Sequence, residues 1–106
     1  MSELKWSVSE KRLSRRVFDA ALQRELAEIV TEFKEKAAQV TAPEDMWPIQ
    51  EYLRDKHHDI QAKYDYRYSQ LLIVFGKLLR EGRIQEQELR GLSEEKLSYI
   101  QRIGAL

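Results

Sequence analysis

From Val8 to Ala42 the chain contains no glycine and no proline, and this uninterrupted stretch constrains the fold more than any other feature. Ser7 followed by Glu10 has the spacing of a capping box, in which each side chain satisfies a backbone amide of a first helical turn. Beyond it, Phe18, Leu22, Leu26, Ile29, Phe33, Ala37 and Val40 recur at steps of three or four and share one helical face. The spacing predicts a helix over 8–40. About thirty helical residues extend ~45 Å, more than the width of a compact domain of 106 residues. The apolar stripe of such a rod needs cover that one copy of the chain does not provide, and a second copy is the expected cover.

Composition agrees with that reading. Charged residues make up 34% of the chain and apolar ones 42%, a balance suited to long helices with one buried stripe and a charged outer face. A single all-helical domain over residues 1–106 is expected. Eighteen basic and eighteen acidic residues cancel, which argues against a chain-wide attraction to nucleic acid or an anionic membrane. Without cysteine there is no disulfide, thiolate metal site or thiol nucleophile. Met1 to Glu10 lacks the apolar core of a signal peptide. The longest apolar run, Leu71 to Phe75, is far short of the roughly 20 residues of a membrane span. A cytoplasmic protein without membrane insertion is expected.

Thr41-Ala-Pro-Glu44 reads as a stop and a restart, with Thr41 and Glu44 repeating the capping-box spacing and Pro43 suited to a first turn. Pro48 places the main second helix from about Trp47 or Pro48 onward. Ile49, Leu53, Ile60 and Tyr64 continue at helical spacing, Leu71, Leu72, Phe75, Leu78 and Leu79 follow, and Gly82 is the stop. Tyr64-Asp-Tyr-Arg-Tyr68 alternates like a strand, but it is short and embedded in helical pattern, so helix is expected through it. Ile84 and Leu89 then occupy a short helical stretch closed by Gly91. Ser93 is the N-cap of a last helix carrying Leu97, Ile100 and Ile103 and ending at Gly104. The fold class is therefore all-α, a long N-terminal helix with several shorter ones in a dimeric assembly.

Few residues suggest bond-making chemistry. His57 and His58 lie among Glu51, Asp55 and Asp59, and Glu51, Asp55 and His58 share a helical face. Imidazole beside carboxylate is how metal and general-base sites are built. A solvated face of i,i+3 and i,i+4 pairs accounts for the same residues, and neither a phosphate loop nor a Ser/His/Asp order accompanies them. No catalytic residue, metal or cofactor is expected. Lys11-Arg-Leu-Ser-Arg-Arg16 fits a solvated basic face. It also suits an acidic partner or phosphate, and nucleic acid is disfavoured because no aromatics interleave with these charges in the chain. Met46, Trp47, Tyr52, Tyr64, Tyr66 and Tyr68 concentrate contact-forming side chains in the middle third. Tyr64 and Tyr68, four apart, read as one core face. Trp47, beside a proline at a helix start, reads as an exposed contact residue.

Trp47, the helix after it, the run Lys63-Tyr-Asp-Tyr-Arg-Tyr-Ser69, and Leu-Leu-Ile-Val-Phe leading into Leu78-Leu79-Arg-Glu-Gly82 together resemble the fluorescence recovery protein family of cyanobacteria. The resemblance runs over most of the chain. It implies an all-helical protein that dimerises through its long helices and binds the light-activated orange carotenoid protein or a related carotenoid-binding protein. It further implies that the bound protein helps its partner leave the phycobilisome and return to the resting orange form, with no bond made or broken. The family's partner-facing patch holds a tryptophan, a His-Asp pair and an arginine. Trp47 matches the tryptophan, Gln50 and Glu51 fall on the His-Asp pair, and His57, preceded by Lys56, falls on the arginine. A permanent bidentate guanidinium is thereby replaced by an imidazole whose charge depends on pH. The expected partner-binding residues are Trp47, Gln50, Glu51, Arg54 and His57. The expected homodimer interface is Leu22, Leu26, Ile29, Phe33 and Met46. The alternative is a dimerisation module of the same fold with an unrelated partner.

Overall fold

The structure, a computed structural model, describes residues 4–106 and contains four α-helices: α1 (Val8–Ala38), α2 (Met46–Lys63), α3 (Leu71–Arg80) and α4 (Glu94–Gly104). Short 3-10 turns lie between α1 and α2 at Pro43–Asp45 and between α3 and α4 at Glu86–Leu89. The expected capping box starts α1: Ser7 Oγ accepts from the Glu10 amide at 3.1 Å, and Glu10 Oε1 accepts from the Ser7 amide at 3.0 Å. With nothing to break it, α1 runs 31 residues. It ends ahead of Ala42, which precedes Pro43 and is extended at φ −128° and ψ 153°.

The turn itself corrects the sequence reading. The carboxylate that closes it belongs to Asp45, not Glu44: Asp45 Oδ2 accepts from the amides of Thr41 and Ala42 at 3.1 and 3.0 Å. These amide bonds hold the Asp45 carboxyl below its ordinary value. Pro48 does not delay α2, because it falls in the first turn, where its missing N–H would have had no helical acceptor.

The larger correction lies at residues 64–70. One helix was expected from Trp47 to Gly82, but α2 stops at Lys63 and α3 begins at Leu71. Between them the period-2 pattern of the tyrosines wins. Tyr64 and Tyr66 both pack edge-on against Phe18, with ring centroids 5.4 and 4.9 Å away. Tyr68 packs on Tyr66 at 5.8 Å and on Trp6 at 5.6 Å. Asp65 and Arg67, which alternate with them, pair with each other instead, Arg67 Nε donating to Asp65 Oδ1 at 2.9 Å. Three rings reaching α1 outweigh the helical hydrogen bonds given up over this short segment. Tyr64 and Tyr68 therefore do not form a helical core pair, and Tyr68 is exposed.

From Gly82 onward the Gly82 stop and the Ser93 cap are as expected, but the short helical stretch is only the turn Glu86–Leu89, which holds Leu89 and leaves Ile84 outside it. Gly82 sits at φ 71°, its amide donates to Leu79 O at 3.0 Å and the Arg83 amide to Leu78 O at 2.9 Å, the two bonds of a Schellman stop. Ser93 caps α4 by accepting from the Lys96 amide. The α3–α4 crossing is close: a Cβ on Gly76 would lie 2.4 Å from Ile103 Cγ2.

These elements sort into two parts. Leu13, Val17, Phe18 and Ala21 of α1 join Leu71, Leu72, Val74, Phe75 and Leu78 of α3, Ile100 of α4, and Ile84, Leu89 and Leu92 between them to form a continuous buried core. This head uses only the first half of α1. The second half pairs with α2 as an antiparallel arm, and α2 buries no residue fully. The molecule measures 56 × 25 × 25 Å with a radius of gyration of 17.0 Å, against ~13 Å for a compact chain of this length.

Candidate contact groove on the helical arm

Polar staples hold the arm. Near the tip, the Tyr52 hydroxyl donates to the Glu32 carboxylate, and Lys36 Nζ lies 4.8 Å from the Tyr52 ring centroid. Desolvation and that carboxylate push the Tyr52 phenol up to about 12. At the base, Glu25 accepts from Lys63 Nζ at 2.8 Å and from the Tyr64 hydroxyl at 2.7 Å. Arg83 donates to Glu28 at 2.7 Å and to Glu81 at 2.8 Å. Burial opposes ionisation of Glu81, but hydrogen bonds from Lys63 and Arg83 outweigh it and hold the carboxyl below its ordinary value. Sequence reasoning missed this junction, because its members are scattered over 25–83 and only the fold assembles them.

Between the staples the apolar stripe is open. The predicted stripe divides in two: Phe18 is buried under the head's tyrosines and Leu22 packs partly against the head core, whereas Phe33 is exposed. A groove of about 560 Å³ runs along the arm, lined by Leu26, Ile29, Gln50, Leu53, Arg54, Lys56, His57 and Ile60. It brings together residues expected at two separate surfaces. Gln50, Arg54 and His57 come from the expected partner patch and Leu26 and Ile29 from the expected dimer interface. On α2, Gln50, Leu53, Arg54 and His57 share a face through steps of three and four, which is why they meet.

The other expected site residues lie around the groove rather than in it. Trp47 is 59% exposed, one helical turn before Gln50, and Met46 beside it is 47% exposed. Glu51 is exposed next to the groove, and Phe33 lies on α1 beyond Ile29. His58, Asp55 and Asp59 are exposed on α2, and among the described residues no group of three or more His, Cys, Asp or Glu side chains is placed to hold a metal. No helix among the described residues is long and apolar enough to cross a membrane.

The arm and head thus define an all-α protein that presents an open, aromatic-rimmed apolar groove. A family model of the photoprotection regulator fluorescence recovery protein matches residues 6–104. The fluorescence recovery protein of Synechocystis sp. is 36% identical over 105 residues, covering 99% of this chain and 96% of its own length. Its solved structure superposes with a TM-score of 0.91 over 96% of this chain and all of that one. That of the Fremyella diplosiphon fluorescence recovery protein gives the same score at 33% identity, covering 96% of this chain and 100% of its own. The chain belongs to the fluorescence recovery protein family of photoprotection regulators.

Proposed function

We propose that the chain acts as a homodimer of one domain, residues 1–106, that docks on the photoactivated orange carotenoid protein. Docking promotes the partner's release from the phycobilisome and speeds its return to the resting form, in the cytoplasm and without covalent chemistry. Family membership over nearly the whole chain carries this reading. The arm supplies its physical basis.

Two copies offer each other the half of the stripe that the head leaves open, from Leu26 through Phe33 and Met46. Covering it recovers ~25 cal/mol per Å² of apolar surface, which a monomer forgoes. Trp47, with Gln50, Glu51, Arg54 and His57 beside it, then forms the partner-facing patch: an aromatic anchor rimmed by charge, the layout in which a few residues carry most of the binding energy.

Speeding a conformational return requires more than affinity. A binder with equal affinity for both states of its partner shifts nothing. The patch around Trp47 must meet the route between the two states better than it meets the starting state, by about 1.4 kcal/mol for each tenfold in rate. Size-exclusion chromatography with light scattering tests the docking. The wild-type chain should co-elute with the photoactivated orange carotenoid protein and Trp47→Ala should not. Failure of the wild type to co-elute would move the assignment to a different partner.

A further inference from the structure

At the opposite end of α1 from the arm's tip, the basic run 11–16 is built into a second surface. Leu13 and Ser14 turn inward and are buried, while Lys11, Arg12, Arg15 and Arg16 all face solvent. In the chain no aromatic residue lies within the run 11–16, but the extended 64–68 segment brings Tyr66 and Tyr68 against its cations. The Arg15 guanidinium carbon lies 3.7 Å from the Tyr66 ring centroid, and Lys11 Nζ lies 5.3 Å from that of Tyr68. The six side chains line a shallow concavity of about 420 Å³.

Intramolecular compensation is scarce. Arg15 reaches Asp19 at 3.4 Å, an exposed pair, while Asp65 is occupied by Arg67. Lys11, Arg12 and Arg16 form no ion pair among the described residues. Lys11 and Arg12 sit early in α1, near its positive N-terminal end, which disfavours positive charge, and Arg15 and Arg16 follow one turn later. Charge gathered at an unfavourable place and left without counter-charge is satisfied best by an anion from outside.

We propose that Lys11, Arg12, Arg15 and Arg16, with Tyr66 and Tyr68, bind an acidic polypeptide segment of a partner protein. Arg15 lies over Tyr66 and gives one nitrogen to Asp19, whereas Arg12 and Arg16 form no ion pair among the described residues and offer their guanidinium groups to take a carboxylate in a fork. Nucleic acid fits less well. Tyr66 has Arg15 on one side and Phe18 against it, and Tyr68 contacts Trp6 and Lys11, so neither ring offers a platform for a base. The cations also span under two helical turns, too short a stripe to track a polyphosphate backbone. The surface is separate from the arm's groove: Arg15 lies roughly 16 Å along the helix from Leu26, the nearest groove residue of α1.

Fluorescence anisotropy with a labelled oligo-glutamate peptide, and with an oligothymidylate of equal length, tests this. The peptide should bind the wild-type chain, weaken as salt rises, and bind Arg12→Glu/Arg16→Glu about tenfold or more weakly. A charge-matched control, Lys34→Glu/Arg102→Glu, should bind like wild type. Arg12→Gln/Arg16→Gln, which removes charge without adding repulsion, covers the case in which the reversal variant is unfolded by circular dichroism. Undetectable peptide binding, equal loss in the control, or tighter binding of the oligothymidylate would each overturn the proposal.

Discussion

Glu10→Gln should lower thermal stability far more than a substitution at a helix end ordinarily does, because Glu10 serves two helices at once. One oxygen accepts from the Ser7 amide at 3.0 Å in the capping box of α1. The other accepts from the amide of Ser93, the N-cap of α4, at 2.9 Å. Both lie 3.2 Å from the Lys96 ammonium, whose side chain is only 4% exposed. Glutamine keeps an acceptor for one amide but leaves that ammonium buried without counter-charge. Removing one partner of a buried pair costs about 3–5 kcal/mol. Lys96 retains the Lys5 carbonyl at 2.6 Å and the Trp6 ring at 4.8 Å, so the lower end, about 3 kcal/mol, is expected. At ~4–8 °C per kcal/mol this is a drop in Tm of roughly 12–24 °C, read by circular dichroism. Glu10→Gln/Lys96→Met, which also removes the stranded charge, should regain most of it. A Tm within ~4 °C of wild type for Glu10→Gln, or a double variant worse than the single, would refute the reasoning.

Acid should act on the same contact. Burial raises the Glu10 carboxyl, but the Ser7 and Ser93 amides and Lys96 together outweigh it and hold it below its ordinary 4.5. A carboxyl lowered in the folded state stabilises fully above 4.5 and loses that contribution as pH falls through its folded value. The wild-type Tm should therefore fall more steeply from about pH 5 to about pH 3 than that of Glu10→Gln/Lys96→Met. Gly76→Ala should destabilise by about 1–3 kcal/mol, since its Cβ would lie 2.4 Å from Ile103 Cγ2 and the α3–α4 crossing must open; thermal denaturation checks it. With the stripe covered by a second copy as proposed, Ile29→Glu and Phe33→Glu should shift the chain from dimer toward monomer in light scattering, because a carboxylate there is desolvated without a partner. An unchanged mass for both would show that the stripe stays open.

What could be read ahead of the structure follows from how local each signal is. The start of α1, the Gly82 stop and the Ser93 cap were legible because each is made by residues within a few positions of one another. The 64–70 break was not, although its alternation was visible. Its deciding partner, Phe18, lies 46 positions from Tyr64, and nothing in the local pattern says that a ring waits there. The same gap explains the missed reach of Glu10 to Ser93 and Lys96, and the meeting of the tyrosines with the basic run. At the arm, helical spacing correctly placed Gln50, Arg54 and His57 on one face. It did not show that Leu26 and Ile29 of α1 would form the opposite wall of the same groove, because that depends on the turn at Pro43–Asp45 folding α2 back along α1.

The rate at which photoconverted orange carotenoid protein returns from red to orange in the dark, followed by absorbance with and without this chain, tests the central claim most directly. Acceleration by the wild-type chain, lost in a folded Trp47→Ala variant, is the predicted result. A return rate that the wild-type chain leaves unchanged would contradict the account.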